Sequence, residues 1–323
     1  MPKILHTARY TGTPWEILKS VVPNGFRVET LDELSYECLL RQAVDAEYLL
    51  VSGRLPIDEG VLTAAKHLKM IQRTGVGTEM LDMDAIKHHN IPVYVNAGVN
   101  ARSVAEHTIT LMLACLKRLP QINADTHSGV WKKQQQGLTT HELYGKTVAL
   151  VGMGNIGRIV AAMLKPFGVK ILFTDVFRQS AEVEANLGLT YCGSFEDMLP
   201  KADILSFHCP LTPENTGMLN KKSLGMMKDG AIVVNTARGK LINPDDLYQA
   251  LQNGHIKAAG LDTHYEEPIK EGYKLAELDN VILTPHIGGL SYEAFQSMMA
   301  GAVENIQAFE EDKTDAISKK RLV

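Results

Sequence analysis

Residues 147–157 hold the feature that most limits what this chain can fold into. An apolar run, TVALV, passes directly into the pattern GMGNIG at positions 152–157, and a helical pattern of small and apolar residues follows. A second strand pattern, at 171–174, ends in Asp175. Strand, glycine-rich turn, helix and a second strand that ends in an acid are typical of a βαβ unit that binds a dinucleotide.

Each glycine of this loop has a predicted task. Gly152 permits the tight turn, Gly154 lets the backbone approach a pyrophosphate, and Gly157 allows the helix to pack closely on the sheet. The helix N-terminus, where Asn155 and Ile156 lie, offers unpaired N–H groups and the positive end of the helix dipole to the phosphates.

Asp175 indicates which dinucleotide binds. Its carboxylate is expected to accept hydrogen bonds from the adenosine ribose hydroxyls and to repel a 2′-phosphate, so we predict NAD as the cofactor. Arg178, three residues further on, leaves some use of NADP open.

Short β-branched and apolar runs alternate with helical patterns along the whole chain. The predicted strands are residues 3–6, 26–30, 48–51, 70–73, 93–95, 147–151, 170–174, 203–207, 231–235, 258–261 and 281–283. Most are continuous apolar runs, as expected of parallel strands buried on both faces. We therefore predict an α/β fold with two doubly wound parallel-sheet domains and a cleft between them.

Two helical patterns mark the expected crossings between these domains. The first opens near Ser103, which forms a capping-box pattern with Glu106, and Pro120 is expected to stop it. The second runs from about Tyr292 to Glu311, and this helix is expected to cover the first sheet.

The predicted first domain is discontinuous. It comprises residues 1–99 and 290–323, and residues 100–289 form the second domain, in line with the usual domain size for a chain of 323 residues. The polar residues 313–323 are expected to form a loosely held tail.

Composition excludes several classes of protein. A formal charge of −4 argues against nucleic-acid or anionic-membrane binding, no apolar run is long enough to span a bilayer, and the N-terminus has no signal-peptide pattern. The cysteines are widely spaced and form no CxxC pair: Cys38, Cys115, Cys192 and Cys209. We therefore expect free thiols, no metal site and a cytoplasmic location.

Polar residues follow the later strands, at the sheet edge where ligands bind in open α/β folds. They are His208, 236–239 (TARG), Asp262, His264, Glu266, Glu267 and His286. A hydride transferase acting on a hydroxyl or carbonyl needs a proton donor and acceptor, a cation for the substrate anion and often a carboxylate that tunes the base. These residues supply all three, but the residue types alone do not choose among the three histidines.

Several motifs in order along the chain closely resemble the D-isomer-specific 2-hydroxyacid dehydrogenase family. They are 73–77 (RTGVG), 103–106 (SVAE), 152–157 (GMGNIG), 235–239 (NTARG), Leu261-Asp262 with 266–268 (EEP), and 284–289 (TPHIGG). The resemblance implies a Rossmann NAD-binding domain, a flavodoxin-like substrate domain and a homodimer.

The resemblance also implies roles for individual residues. Arg238 is expected to anchor the substrate, His286 to act as the general acid and base, and Glu267 to pair with His286. Backbone N–H groups around Val76 and Gly77 are expected to bind the substrate carboxylate. The further predicted cofactor contacts are Val104, His208, Pro210, Thr236 and Asp262, of which Asp262 faces the nicotinamide carboxamide.

The physical chemistry of these residues agrees with those roles. An arginine fork can bind the α-carboxylate and the α-oxygen together. A carboxylate at Glu267 beside His286 would raise the histidine pKa, so that a proton is available for reduction of a carbonyl.

The chain departs from the family pattern at 263–265, where Thr-His-Tyr stands in place of an aromatic residue followed by an acid. We interpret His264 and Tyr265 as surface variants near the crevice, since loops vary freely. The alternative is that His264 adds a polar contact close to the catalytic pair.

Two further residues carry open alternatives. Arg54 follows the strand 48–51 and could bind a polar or anionic substrate tail, or be a solvated loop arginine. Trp131 lies on the segment that related enzymes use for dimerisation, and the other interpretation is a tryptophan buried within one chain.

The predicted function is NAD-dependent hydride transfer between a 2-hydroxy acid, of D configuration, and its 2-oxo acid. The alternative is an NAD(H)-sensing binding protein that resembles the C-terminal-binding-protein corepressors, although their peptide-docking features are not evident. A one-carbon or inorganic donor, formate or phosphite, is disfavoured because residues 75–77 keep the carboxylate-binding pattern.

Overall fold

A computed structural model describes all 323 residues and divides them into two compact units. Unit 1 comprises Met1–Asn100 and Leu290–Val323, and unit 2 comprises Ala101–Gly289. All four cysteines are free thiols. None of the helices has the length and apolarity that crossing a bilayer would require.

Unit 1 is built on a parallel sheet of five strands. The strands are β1 (Lys3–His6), β2 (Arg27–Thr30), β3 (Tyr48–Val51), β4 (Met70–Arg73) and β5 (Val93–Tyr94). The helices are α1 (Thr13–Val21), α2 (Tyr36–Ala43), α3 (Glu59–Ala64), α4 (Met83–His88) and α12 (Tyr292–Glu310). The strand order β2-β1-β3-β4-β5 is the flavodoxin-like doubly wound order, so this part of the fold prediction is confirmed.

Successive side chains of the strands pack on opposite faces of this sheet. Leu49 and Val51 of β3 pack with α2, α3 and α4, whereas Tyr48 and Leu50 pack with α1 and α12. Both faces are therefore apolar, which is why the strands are continuous apolar runs in the sequence.

The C-terminal segment differs from the prediction of a loosely held tail, which is wrong. A 3₁₀ helix covers Thr314–Lys320, and Ile317 within it is buried. The backbone N–H of Val95 donates to Lys320 (2.9 Å), and that of Leu322 donates to Val93 (2.8 Å). Backbone pairing beside the edge strand β5 holds this segment, and a polar composition does not reveal such pairing.

Unit 2 is built on a parallel sheet of seven strands. They are β6 (Thr147–Val151), β7 (Lys170–Thr174), β8 (Leu189–Tyr191), β9 (Ile204–Phe207), β10 (Ala231–Asn235), β11 (Ile256–Leu261) and β12 (Val281–Leu283). The order is β12-β11-β10-β9-β6-β7-β8, with β6 paired to both β7 and β9. From β6 the chain builds the sheet outward in one direction through β7 and β8, and then returns to the other side of β6 and builds outward through β9 to β12. This is the Rossmann arrangement that was predicted. Only β8, three residues long, is missing from the predicted strands.

Unit 2 has seven helices, some of which cover the two faces of its sheet. They are α5 (Ala101–Lys117), α6 (Leu119–His127), α7 (Lys133–Gly137), α8 (Asn155–Leu164), α9 (Ala181–Leu187), α10 (Lys221–Leu224) and α11 (Pro244–Gln252). Short 3₁₀ helices occupy Lys165–Phe167, Leu199–Lys201, Gly239–Leu241 and Lys274–Glu277. Helices α5 and α8 share one apolar core with the sheet, and α10 and α11 share the other.

The first turn of α5 corrects one prediction. The helix begins at Ala101, so Ser103 is not its N-cap. The Ser103 hydroxyl instead donates to the carbonyl of Gly288 (2.7 Å), because this turn packs beside the loop that follows β12. Pro120 does lie beyond the end of α5, in the first turn of α6, where a missing N–H costs nothing.

Candidate active site

Most of the predicted site residues of unit 2 follow its strands at the carboxyl edge of the sheet. Gly152 follows β6, Asp175 follows β7, His208 follows β9, Thr236 follows β10 and Asp262 follows β11. Because parallel strands all end at the same edge, the topology gathers these groups on one side of unit 2.

The glycine loop 152–157 is built as the sequence predicted. Gly152 has a φ of 99°, in the region that favours glycine. A Cβ on Gly157 would lie 2.2 Å from the carbonyl oxygen of Gly152, so no larger residue fits there without moving backbone.

The N-terminus of α8 fits a dinucleotide pyrophosphate. A Cβ on Gly154 would meet nothing within 4 Å, so the backbone there faces open space. No side chain caps the helix at Gly154. The N–H groups of the first turn and the positive end of the helix dipole are therefore available to an anion.

Asp175 is fixed against the glycine loop. One carboxylate oxygen accepts a hydrogen bond from the backbone N–H of Met153 (2.5 Å), and the other accepts from that of Phe177 (3.1 Å). Both bonds orient the carboxylate at the end of β7, beside the loop expected to hold the pyrophosphate.

Arg178 has a partner of its own. Its guanidinium donates to both carboxylate oxygens of Glu184, at 2.9 and 3.0 Å, and lies over the ring of Tyr191. Because Glu184 already engages its guanidinium, Arg178 is less available to bind a 2′-phosphate.

The loop that carries Arg238 is held by a buried asparagine. Asn235, at the end of β10, donates from its side-chain amide to the carbonyl of Arg238 (2.8 Å) and accepts from the N–H of Ala237 (3.0 Å). A Cβ on Gly239 would lie 2.0 Å from the carbonyl of His264. The Arg238 loop and the loop after β11 therefore touch backbone to backbone.

Glu267 and His286, the two residues expected to act as an acid–base couple, form a hydrogen-bonded pair. Nδ1 of His286 lies 2.7 Å from a carboxylate oxygen of Glu267, and the side chains are 49% and 36% exposed. This hydrogen bond raises the pKa of His286 against the opposing effect of burial. Burial alone would raise the pKa of Glu267, but hydrogen bonds from His286 and the backbone of His264 outweigh it and lower that pKa.

Asp262 holds the loop that presents His286. Its two oxygens accept hydrogen bonds from the hydroxyl of Thr284 (2.6 Å) and the N–H groups of Ile287 (2.9 Å) and Gly288 (2.8 Å). Burial alone would raise the pKa of Asp262, but these bonds and one from His107 lower it to about 2. The carboxylate is therefore ionised and committed to the 284–288 loop, in which His286 has a φ of 56°.

The other two candidate histidines differ from His286. His208 has one ring nitrogen 3.0 Å from the hydroxyl of Ser206, and burial lowers its pKa to about 3. His264 is buried, with one ring nitrogen 2.9 Å from the carbonyl of Thr284. Neither pairs with a carboxylate through its side chain, so geometry favours His286 as the proton-exchanging group.

The interpretation of His264 as a surface variant is wrong. The residue is 7% exposed, and its backbone N–H donates to Glu267 at 2.9 Å, so it positions the acid of the pair. Tyr265 beside it is 42% exposed, as expected. Sequence reasoning had no signal for the burial of His264, because its ring contacts lie at Tyr273 and Thr284.

His107 contacts this site but was not among the residues predicted from the sequence. Its Nε2 lies 3.0 Å from the hydroxyl of Thr284 and 3.4 Å from Asp262, from a position on α5. Sequence motifs could not show this contact, since 177 residues separate His107 and Thr284 along the chain.

The remaining predicted cofactor residues lie in unit 2 as well. Val104 is buried on α5, Thr236 shares a hydrogen bond with Thr108 (2.9 Å), and Pro210 is exposed beyond β9. Their contacts with NAD stay predictions.

Unit 1 presents the predicted substrate residues on two loops. Arg73 donates to the carbonyls of Gly77 (2.5 Å) and Val51 (2.8 Å), which fixes the loop that carries Val76. Val76 is 53% exposed, and Arg54 is exposed in the loop after β3. The buried Arg73 thus holds this loop together within the unit.

Comparison with known proteins places these features in a family. Residues 109–288 match the model of the D-isomer specific 2-hydroxyacid dehydrogenase NAD binding domain. D-lactate dehydrogenase from Aquifex aeolicus, solved with NAD and lactic acid, superimposes with a TM-score of 0.84 at 27% identity, over 99% of both chains.

Two curated relatives show comparable likeness. A D-3-phosphoglycerate dehydrogenase of Mycobacterium leprae is 37% identical over 83% of this chain, which spans 50% of that enzyme's length. A hydroxypyruvate reductase of Thermotoga maritima is 36% identical over 86% of this chain and 89% of its own. The predictions of family and of NAD as the cofactor are confirmed. The chain belongs to the D-isomer specific 2-hydroxyacid dehydrogenase family and contains that family's NAD-binding domain.

Proposed function

We propose that this protein is an NAD-dependent dehydrogenase that interconverts a D-2-hydroxy acid and its 2-oxo acid. The observation that carries the proposal is the His286–Glu267 pair, 2.7 Å between nitrogen and oxygen, on the loops that follow β12 and β11. A raised histidine pKa is what a carbonyl reductase needs, because the imidazolium supplies the proton for the new hydroxyl.

His286 exchanges the proton through Nε2, since Nδ1 is engaged by Glu267. In reduction, His286 as imidazolium protonates the carbonyl oxygen while the carbonyl carbon accepts hydride. In oxidation, neutral His286 accepts the hydroxyl proton, and the positive charge that develops on the ring is stabilised by Glu267. NAD, when bound, supplies the nicotinamide that takes or gives the hydride.

Arg238 is proposed to bind the substrate carboxylate and α-oxygen through its guanidinium fork, on the loop fixed by Asn235. The backbone N–H groups of Val76 and Gly77 are proposed as further carboxylate donors. Arg54 is the proposed contact to an anionic substrate tail.

NAD is proposed to bind along the carboxyl edge of unit 2. The phosphates would accept hydrogen bonds from the N–H groups at the start of α8, and Asp175 would accept hydrogen bonds from the hydroxyls of the adenosine ribose. The fork between Arg178 and Glu184 supports a preference for NAD over NADP.

A homodimer is proposed from the segment between α5 and β6. Four large apolar side chains there are strongly exposed: Leu119 (57%), Trp131 (80%), Leu138 (86%) and Tyr144 (75%). The alternative of a tryptophan buried within the chain is wrong. Four such side chains on one segment are typical of an interface. We expect Trp131→Glu with Leu138→Glu to lower the mass in analytical ultracentrifugation to that of one chain.

The deciding experiment is NADH oxidation, followed at 340 nm, with glyoxylate, hydroxypyruvate, pyruvate, phosphohydroxypyruvate and sulfopyruvate. We expect turnover with at least one of them and loss of about 100-fold or more in His286→Gln, which keeps the size of the side chain but not its acid–base chemistry. NADH binding without oxidation of any substrate would instead support the NAD(H)-sensing alternative.

A further inference from the structure

The loop 284–288 is held from one side by helix α5. Ser103 and His107 lie four positions apart on this helix, so their side chains project from the same face. The hydroxyl of Ser103 donates to the carbonyl of Gly288 (2.7 Å), and Nε2 of His107 lies 3.0 Å from the hydroxyl of Thr284. Helix α5 therefore contacts the loop at both of its ends.

His286, in the middle of this loop, has a backbone conformation that needs support. Its φ of 56° lies in the left-handed region, which is uncommon for residues other than glycine and persists where surrounding contacts hold it. Asp262 supplies two such contacts, since its carboxylate accepts from the N–H groups of Ile287 and Gly288. A group that fixes the Asp262 carboxylate therefore also affects where His286 points.

The direction of the hydrogen bonds around Asp262 follows from its charge. Its pKa of about 2 leaves the carboxylate ionised, and an ionised carboxylate can only accept. The hydroxyl of Thr284, 2.6 Å away, must therefore donate its single proton to Asp262. That hydroxyl can then only accept from His107, so Nε2 of His107 carries the proton.

The ring of His107 is closely packed in this position. Its Nε2 also lies 3.4 Å from one carboxylate oxygen of Asp262, whose side chain is 2% exposed. A Cβ on Gly288 would lie 3.3 Å from Cδ2 of His107 and 2.8 Å from the second oxygen of Asp262. The ring therefore contacts both the loop and the carboxylate that orients it.

We propose that His107 is a positioning residue for the acid–base pair of the active site. By donating from Nε2, it turns the hydroxyl of Thr284 toward Asp262, and the carboxylate then holds the backbone that follows His286. The inference rests on the proposed dehydrogenase function, in which His286 exchanges a proton with the substrate.

Two variants of His107 separate hydrogen bonding from packing. His107→Gln keeps a donor, because the amide nitrogen of glutamine can take the place of Nε2, whereas His107→Leu keeps apolar volume without a donor. His107→Leu should lower kcat for the best 2-oxo acid by about 5- to 30-fold, with a smaller change in KM. His107→Gln should stay within about threefold of the wild type. The control is His67→Leu, which removes an exposed histidine and should leave kcat unchanged.

A second readout does not depend on turnover. The hydrogen bond to Glu267 raises the pKa of His286, and the NMR signals of the His286 ring report that pKa in the protein without substrate. Loss of alignment weakens the bond, so the pKa of His286 should fall in His107→Leu and keep its wild-type value in His107→Gln. If no 2-oxo acid is turned over, the proposed function fails, but this measurement still decides the role of His107.

The link through the hydroxyl of Thr284 has a test of its own. Thr284→Val replaces the hydroxyl with a methyl group and should lower kcat about as much as His107→Leu does. If the two residues act through one hydrogen bond, the double variant should be little worse than either single variant. Additive losses would show that they act separately and would contradict the proposal.

Three further results would overturn the proposal. The first is a His107→Leu protein, shown to be folded by urea unfolding, with wild-type kcat and a wild-type pKa of His286. The second is a His107→Gln protein as impaired as His107→Leu, since the donor would then not be what matters. The third needs no variant: ring ¹⁵N shifts of the wild type that place the proton of the neutral His107 ring on Nδ1.

Discussion

Nδ1 of His286 lies 2.7 Å from a carboxylate oxygen of Glu267, although the two residues stand on different loops and 19 positions apart. Three contacts bring them together. The N–H of His264 fixes the acid, Asp262 fixes the loop of His286 through two backbone N–H groups, and Gly239 packs against the backbone at His264. The geometry of the pair therefore depends on residues that touch neither of its reacting atoms.

Glu267→Gln should move the pH dependence of reduction to lower pH. The pKa of His286 is raised above its ordinary 6.5 mainly by the hydrogen bond to Glu267, so the imidazolium persists to higher pH in the wild type. Reduction is lost as pH rises through that pKa, and the variant should lose it earlier. At pH 8, kcat/KM for the 2-oxo acid should fall by about 10- to 100-fold.

The measurement is kcat/KM for the best 2-oxo acid between pH 5.5 and 9. The deficit of the variant should shrink at the acid end, where its histidine is still protonated. A matched control is Glu266→Gln, which removes the neighbouring exposed carboxylate that pairs with Lys270. A profile of Glu267→Gln that keeps the wild-type midpoint would refute the assigned role of Glu267.

Gly239→Ala should lower kcat/KM strongly, although it adds only one methyl group. A Cβ at 239 would lie 2.0 Å from the carbonyl carbon of His264, so the loop that fixes Glu267 must move. We expect kcat/KM to fall about tenfold or more and the free energy of unfolding to fall by about 1–3 kcal/mol. Steady-state kinetics and urea unfolding measure the two effects.

Gly193→Ala is the control for this substitution. Gly193 follows β8, and a Cβ there would come no closer than 3.9 Å to any other atom. It should leave both quantities near wild type. If Gly239→Ala behaves in the same way, the contact between the two loops does not control the geometry of the pair.

Local patterns could predict much of the fold and of the site. The run from 147 to 175 has strand, glycine turn, helix, strand and acid within one βαβ unit, so its geometry depends on neighbours in sequence. The polar residues after β10 and β12 made Arg238 and His286 candidates for the site, and the family resemblance chose among the histidines. Both sheet orders agree with the predicted fold class.

What could not be predicted depends on contacts distant in sequence. His107 reaches Thr284 across 177 residues, and the C-terminal 3₁₀ helix pairs with the backbone beside β5. The burial of His264 likewise depends on Tyr273 and Thr284. No periodicity or spacing within these segments reports the partner, so a single sequence carries little sign of it.

Asp175→Ser should shift cofactor preference toward NADPH. The substitution removes a carboxylate from beside the glycine loop, and with it the repulsion of a 2′-phosphate. We expect the ratio of kcat/KM for NADPH to that for NADH to rise by about tenfold or more, worth about 1.4 kcal/mol. The KM for NADH should also rise, since the bond to the N–H of Met153 is weakened.

Adding Glu184→Gln to that variant should raise the ratio further, because it weakens the hold of Glu184 on the Arg178 guanidinium. Glu184→Gln alone should leave the ratio within about twofold, since Asp175 still repels the phosphate. An unchanged ratio in Asp175→Ser would show that the carboxylate does not select the cofactor.

Arg54→Met tests whether Arg54 binds the anionic tail of a substrate. Arg54 is exposed in the loop after β3, where its charge helps to lower the pKa of His6, chiefly set by burial, to about 4. This effect of charge places Arg54 near His6, which is buried at the end of β1. If Arg54 binds an anionic tail, kcat/KM for phosphohydroxypyruvate or sulfopyruvate should fall by about 10- to 100-fold. The kcat/KM values for pyruvate and glyoxylate, which lack that tail, should stay within about threefold of those of the wild type.

The matched control is Arg41→Met, which removes an exposed arginine on α2 near Asp32. An equal loss of kcat/KM for substrates with and without the anionic tail would show that Arg54 supports the loop and does not bind the tail.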